Sequence, residues 1–268
     1  MAIVFDGKEY SESKKILLKQ SVTRLNEKGI IPHLATILVG CNPASVKYVS
    51  LKKKFIEDCG GIVSVYNLPE SIGFEEIEFL INSLNDDKDV NGIMIQLPLT
   101  QKLQKSKTQI LKLIDLKKDV DGLRENSKFL HPTSKAVIEI LKIAEAKIRE
   151  EAKTIDIVGS TGMVGKPLVK ELKKIGYKVN EYDKDTLPAQ VGFGVALKGR
   201  VLISATGVAN LISKKNITNN TKIAIDVGYP FGDFDPRITD FVDFITPVPN
   251  GVGPVTITCL LENLVASC

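Results

Sequence analysis

The chain of 268 residues contains no tryptophan, and only six tyrosines and ten phenylalanines. Proteins that stack on bases need aromatics interleaved with basic residues. The lysines here form no extended basic block, so no nucleic-acid partner is expected. The two histidines, His33 and His131, have no companions at metal-ligand spacing, so no metal is expected, and His33, after Pro32 at a strand entry, reads as structural. The four cysteines, Cys41, Cys59, Cys259 and Cys268, form no C-x-x-C or zinc pattern and read as reduced thiols of a cytoplasmic protein. No apolar run approaches the roughly 18 residues of a membrane span, so no membrane partner is expected. The opening MAIVFDGKEY meets charge at Asp6 and lacks the core of a signal peptide. With 36 basic against 32 acidic residues, the net charge of +4 gives only a mild bias toward anionic ligands. What remains is a globular chain, 43% hydrophobic, long enough for one or two domains.

The most informative stretch is Thr154 to Lys170, TIDIVGSTGMVGKPLVK. A short apolar strand leads into a turn with Gly159, Gly162 and Gly165, and a helical pattern follows through Leu168, Val169 and Leu172. Strand, glycine turn and helix form the phosphate-cradling unit of dinucleotide-binding domains. Glycines let the backbone approach a pyrophosphate, and the helix start offers N–H groups and a favourable dipole. An ordinary strand-to-helix turn is the plain alternative, because the spacing is G-x-x-G-x-x-G. A P-loop fails, since Ser160 stands where its first glycine belongs and Pro167 replaces the metal-binding Ser or Thr. Eighteen residues past Gly165 the next strand ends at Asp183, an acid placed to take a ribose hydroxyl.

Along the chain, periodicity predicts a helix over 11–28 and a buried strand over 34–39. A second helix follows, with Asn42 as N-cap and Pro43 at its first position, reaching Asp58. On it, Tyr48 and Lys52 share a face. They form either a solvated lysine face or a cleft lysine whose lowered pKa suits proton exchange. A strand over 62–65 and a helix over 75–85 come next. The strand GIMIQL, 92–97, places Gln96 inside an apolar run, where it must find a partner. A single helix is expected over 102–113, and a loop with two acids, Asp119 and Asp121, over 118–123. A helix from Ser134 to about Glu151 leads into the glycine unit. Further strands are expected over 200–205 and 222–227, each closed by a glycine, Gly207 and Gly228, leaving room for a flat cofactor. Residues 184–198 read as a loop and weak helix. The run Thr246 to Thr256, dense in Pro, Gly and Val, reads as a rigid loop without regular structure, followed by a helix from Thr256. The β-α-β alternation predicts a doubly wound parallel sheet.

Taken together, AIVFDGKEYS, LATILVGCNPASVKYVSLKKK, GIMIQLPL, KDVDGL, VGSTGMVGKP, KIAIDVG and TPVPNGVGPVTITCLLEN resemble the bifunctional methylenetetrahydrofolate dehydrogenase/cyclohydrolases over essentially the whole chain. The resemblance implies two α/β domains flanking a cleft, the second Rossmann-like. Residues 1–130 plus 254–268 would form the folate-binding catalytic domain, and 131–253 the NAD(P)-binding domain. It implies one-carbon folate chemistry: methylenetetrahydrofolate is oxidised with NAD(P), and the methenyl product is hydrolysed to formyltetrahydrofolate. Lys52 matches the catalytic lysine, Tyr48 the tyrosine that positions the pterin, Gln96 the glutamine bonded to the lysine, and Asp121 the pterin-binding acid. Leu97, Pro98, Gly253 and Pro254 join Tyr48, Gln96 and Asp121 as expected substrate contacts. Gly159, Ser160, Thr161, Gly165, Asp183, Lys184, Gly207 and Tyr229 are the expected cofactor contacts. A homodimer is expected by the same analogy.

This chain also departs from the family pattern. Where the family often has Gly-Arg-Ser in the turn, with the Arg toward the 2′-phosphate of NADP, the chain has Gly159-Ser160-Thr161. The second cofactor strand ends Tyr182-Asp183-Lys184 rather than Cys-His-Ser. An acid there accepts from a ribose 2′-hydroxyl and repels a 2′-phosphate, partly offset by Lys184. NAD is therefore expected to serve at least as well as NADP, the family's usual partner. His131-Pro132-Thr133-Ser134 stands in place of Pro-Cys-Thr-Pro, and the connection before it is short. Two other readings are a dehydrogenase alone, against which the retention of Lys52, Tyr48 and Gln96 speaks, and a degenerate nucleotide-binding family member.

Overall fold

A computed structural model describes residues 1–149, 153–183 and 197–268. Its elements, in chain order, are β1 (Ile3–Val4), α1 (Gly7–Asn26), β2 (His33–Val39), α2 (Pro43–Asp58), β3 (Ile62–Leu68), α3 (Phe74–Asp86) and β4 (Gly92–Ile95). Then come α4 (Gln101–Gln104), α5 (Lys107–Leu113), α6 (Pro132–Ile148), β5 (Thr154–Val158), α7 (Gly165–Lys174) and β6 (Lys178–Tyr182). The chain continues through β7 (Val201–Ser204), β8 (Ile223–Asp226), β9 (Phe244–Ile245) and α8 (Val252–Ser267). The expected α/β class holds, and every strand pairing is parallel.

The chain divides into two compact units, Glu12–Pro132 with Ile257–Cys268, and Met1–Ser11 with Thr133–Thr256. The first has a three-stranded sheet in the order β3-β2-β4. Strand β2 is apolar at all but His33 and Thr36, because both faces are covered. Ala35, Ile37 and Val39 pack with Ile77, Ile81 and Leu84 of α3. Leu34 lies in the opposite cluster with Phe55 and Ile56 of α2 and Leu260, Leu261 and Leu264 of α8.

The second unit carries a six-stranded sheet in the order β6-β5-β7-β8-β9-β1, the Rossmann-like sheet that the alternation predicts. Strands β5, β7 and β8 are buried almost throughout. The order reverses at β5, with β6 on one side and β7 on the other, so a crevice opens beyond the carboxyl ends of β5 and β7. The first eleven residues group here, where the sequence reading has them in the folate-binding domain. Ile3 and Val4 pair with Phe244 and Ile245, and the Phe5 ring lies 5.9 Å from that of Phe244. A two-residue strand leaves no periodic signal, which is why the sequence does not reveal it.

Two other expectations change. The single helix over 102–113 is broken, because Ser106 N–H bonds back to Leu103 O at 3.0 Å and Ser106 leaves helical dihedrals. The Pro/Gly-dense run is irregular only as far as Gly251, and α8 begins at Val252 with Gly253 and Pro254 in its first turn. A first-turn proline costs little, since its missing N–H would have no intrahelical acceptor. The anticipated loop and weak helix over 184–198 falls mainly outside the described residues, as do Lys184 and Glu151.

Candidate active site and dinucleotide cradle

Helix α2 starts as its sequence dictates. The Asn42 side chain accepts from Ala44 N and Ser45 N, both at 3.1 Å, and Pro43 occupies the first turn. Its buried stripe is Ser45, Val49, Lys52, Phe55 and Ile56. Lys52 therefore occupies a position that helical periodicity assigns to the core, while Lys53 and Lys54 pair on the surface with Glu57 and Asp58. Only 6% of Lys52 is exposed. Its Nζ donates to Gln96 Oε1 at 3.2 Å and to Met94 Sδ at 3.1 Å, and lies 4.5 Å from the centre of the Tyr48 ring. Burial drives the pKa of Lys52 down, opposed by the carboxylate of Asp121. Of the two readings open at the sequence level, the structure shows the buried lysine with a lowered pKa.

Gln96 directly follows β4 and donates from its own amide to Leu97 O at 2.8 Å, so its oxygen is turned toward Lys52. Leu97 and Pro98 continue the same segment, Leu97 half-buried and Pro98 exposed. In the loop 118–123 the two acids separate by role. Asp119 is fully buried and accepts from Leu123 N at 3.1 Å and Arg124 N at 3.0 Å, folding the loop on itself. Asp121 stays half-buried and within electrostatic range of Lys52. Gly122 has φ +62°, and a Cβ there would sit 2.7 Å from His131 N, so the loop needs glycine.

Two residues that the sequence reading does not single out belong to this cluster. Asn263 of α8 donates to Val120 O at 2.9 Å and to Leu130 O at 3.0 Å, tying both sides of the loop to the C-terminal helix. An Asn on the apolar stretch Leu260, Leu261 and Leu264 of α8 is the signal that could have found it. His131 is 8% exposed, and burial pushes its pKa down, with Asp121 opposing and Lys52 reinforcing the shift.

In the second unit, the glycine turn follows β5. Gly159 N and Ser160 N both donate to Tyr182 O, at 2.9 and 3.2 Å. Gly159 has φ +86°, and a Cβ on it would lie 2.6 Å from Ala205 O. A Cβ on Gly165 would lie 2.0 Å from Gly159 O. Both positions thus exclude any side chain. Helix α7 begins without a side-chain cap, as an anion-binding helix start does. Asp183 Oδ2 accepts from Thr161 N at 2.9 Å and from the Thr161 hydroxyl, linking the turn to the end of β6. The cradle fits a dinucleotide phosphate at Gly159–Gly165.

Comparison with known proteins agrees with this geometry. Residues 5–121 match the model for the tetrahydrofolate dehydrogenase/cyclohydrolase catalytic domain, and 131–268 match that for the NAD(P)-binding domain of the same family. This chain belongs to the tetrahydrofolate dehydrogenase/cyclohydrolase family. The bifunctional protein FolD of Lachnoclostridium phytofermentans is 36% identical over 282 residues, covering 99% of this chain and 97% of its own. The crystal structure of the bifunctional FolD enzyme from Campylobacter jejuni superposes with a TM-score of 0.87 at 36% identity, covering 100% of this chain and 98% of that one. That of the Trypanosoma brucei enzyme with NADP cofactor and inhibitor gives a TM-score of 0.86 at 27% identity, covering 99% and 97%.

Within the family's catalytic region the structure brings together Lys52, Tyr48, Gln96 and Asp121, with Leu97 and Pro98 adjoining. Within its NAD(P)-binding region it brings together Gly159, Ser160, Thr161, Gly165 and Asp183. Gly207, with φ +68° and open space around it, and the exposed Tyr229 lie on the loops after β7 and β8. Gly253 and Pro254 open α8 in that same unit. Among the described residues no helix is long and apolar enough to cross a membrane.

Proposed function

We propose that the chain oxidises methylenetetrahydrofolate to the methenyl cation with NAD or NADP and hydrolyses that cation to 10-formyltetrahydrofolate, with Lys52 as the proton-handling group. The observation that carries the reading is the buried Lys52 amine held 3.2 Å from Gln96 Oε1. Burial favours the neutral amine, and in that form its two N–H bonds are spent on Gln96 Oε1 and Met94 Sδ, with one lone pair left to accept a proton. A fixed ammonium would repel the cationic methenyl group; a neutral amine does not. Water adds to the methenyl carbon and gives its proton to Lys52. The bond from that carbon to N5 then breaks as the remaining hydroxyl proton passes to N5, which leaves the C=O of the formyl group on N10, and Lys52 gives up its proton to solvent. Tyr48 packs beside the amine and positions the pterin, and Asp121 binds the pterin ring.

The Gly159–Gly165 turn would hold the dinucleotide phosphates, with Gly207 and Tyr229 on the loops after β7 and β8. A dinucleotide held there would supply an acceptor for the hydride of the methylene carbon. Asp183 sits where a ribose 2′-hydroxyl is received, so NAD serves at least as well as NADP. Its link to Thr161 supports this, because the carboxylate is fixed at the mouth of the turn rather than swung away. Titrating NAD and NADP against the purified protein tests this point: a much larger kcat/KM with NADP rejects it. Loss of methenyl hydrolysis in Lys52→Met tests the lysine. We further propose a cytoplasmic homodimer. The free thiols of Cys41, Cys59 and Cys268 suit a reducing compartment, and sedimentation at graded concentration tests the dimer.

A further inference from the structure

Two acids lie buried at the carboxyl end of β8 and in the loop after it, Asp226 at 4% and Asp233 at 0% exposure. Asp226 closes the 227–234 loop: its carboxylate accepts from Gly228 N at 2.8 Å and from Asp233 N and Phe234 N at 3.0 Å. Asp233 reaches across to the neighbouring strand end. Its Oδ2 accepts from Ser204 Oγ and Thr206 Oγ1 at 2.8 Å, from Thr206 N at 2.7 Å and from Gly207 N at 3.3 Å. Four donors converge on one oxygen, while Oδ1 is buried with no hydrogen-bond partner among the described residues. All four donors come from the 204–207 segment, so this one carboxylate oxygen ties that loop to the 227–234 loop.

The loop fixed in this way forms one side of the crevice. Ala205 N donates to Val158 O at 2.9 Å, and Ala205 O occupies the space where a Cβ of Gly159 would stand. The position of Ala205 therefore sets how the glycine turn lies. On the outer side, Gly207 is open, and Val208, Tyr229 and Phe231 are 52%, 51% and 72% exposed on the two clamped loops. A flat apolar ring has a surface to lie on there, and the buried acids hold the backbone that presents it.

We infer that Asp233 is a positioning residue for the dinucleotide: through Ser204, Thr206 and Gly207 it fixes the 204–207 loop against the Gly159 turn. The inference rests on the proposed dinucleotide site and assigns it a residue that touches no ligand. It predicts that the two activities separate, because hydrolysis of methenyltetrahydrofolate needs no dinucleotide.

The test measures NADPH and NADH binding by the fluorescence of the reduced dinucleotide, alongside both activities, in the full-length chain. Asp233→Ala should weaken dinucleotide binding and raise its KM tenfold or more, with methenyl hydrolysis within twofold of the parent. Asp233→Asn keeps an oxygen for the four donors and places its amide at the unpartnered Oδ1, so it should restore binding to within about threefold of the parent. Thr206→Val removes one donor without emptying the site and should weaken binding severalfold at unchanged melting temperature; it decides the matter if Asp233→Ala does not fold. Parent-like dinucleotide affinity in both Asp233→Ala and Thr206→Val, or a parallel fall of both activities in a folded Asp233→Ala, overturns the inference. A parent chain that binds neither dinucleotide would instead sink the proposed function.

Discussion

Replacing Lys52 by Met isolates what burial does to this amine. Methionine keeps an unbranched chain of similar length and removes the titrating group. Two terms compete. The variant loses the Nζ bond to Gln96 Oε1, worth about 1 kcal/mol at any pH. It also escapes the penalty of a buried lysine, and that term depends on pH. Because the folded-state pKa lies below the ordinary lysine value of 10.5, the unfolded chain holds a proton that the folded chain lacks over the interval between the two. Parent stability therefore rises with pH across that interval, by up to about 1.4 kcal/mol per pH unit. Below the folded pKa both states are protonated and the penalty is constant at its largest; above the unfolded pKa it vanishes. Asp121 works against the depression, and His131 is the other titrating neighbour; both remain in the variant. Lys52→Met should thus be less stable than the parent near pH 10.5. It should overtake the parent in acid once the depression exceeds about one unit, where about 1.4 kcal/mol outweighs the lost hydrogen bond. Thermal melts of both proteins from pH 6 to 10 read this difference, and methenyl hydrolysis should fall by about 10²- to 10⁴-fold. A stability gap that stays flat across that range would refute the desolvated lysine. Hydrolysis at the parent rate would refute its role.

Asp121→Asn removes the carboxylate that raises the Lys52 pKa, so the alkaline rise of cyclohydrolase activity should begin at lower pH; a rise moved to higher pH contradicts the sign. Asn263→Ala leaves the buried carbonyls of Val120 and Leu130 unpaired, at about 1–3 kcal/mol each, and should raise the folate KM along with the loss of stability measured by urea unfolding. Gly159→Ala forces a side chain into a φ of +86° and against Ala205 O, and should abolish dinucleotide binding in a fluorescence titration before it affects methenyl hydrolysis.

Much of this was legible before any coordinates. Helix α2 is written out by Asn42, Pro43 and the spacing of Val49 and Ile56, and the same spacing assigns Lys52 to the core. The glycine turn is legible because a close approach admits no other residue. What was not legible depends on contacts distant in sequence. The pairing of Ile3–Val4 with Phe244–Ile245 joins segments about 240 residues apart, and two residues carry no period. The start of α8 at Val252 was hidden because proline and glycine are loop formers everywhere except a first turn. Asp119 and Asp121 are indistinguishable by residue type two positions apart. Only the burial of Asp119 on Leu123 N and Arg124 N shows which of them is spent on the fold.

That distinction extends to the rest of the molecule. A ligand-binding loop must keep its backbone close to the ligand, so it cannot satisfy its N–H groups in a strand or helix. A carboxylate accepts several such donors at once. Asp119 does this for the 119–124 turn, Asp226 and Asp233 for the loops after β8 and β7, and Asp183 for the start of the glycine turn. Burial raises the pKa of Asp119 and of Asp226 despite their N–H partners, so desolvation outweighs the hydrogen bonds at both. At both acids, then, folding disfavours the charged form relative to the protonated one, so these carboxylates are not explained by a favourable charge alone. They are better explained as the means by which irregular backbone is held in one shape beside a ligand. The apolar strands β2, β5, β7 and β8, nearly free of exposed surface, supply the stability that such loops consume.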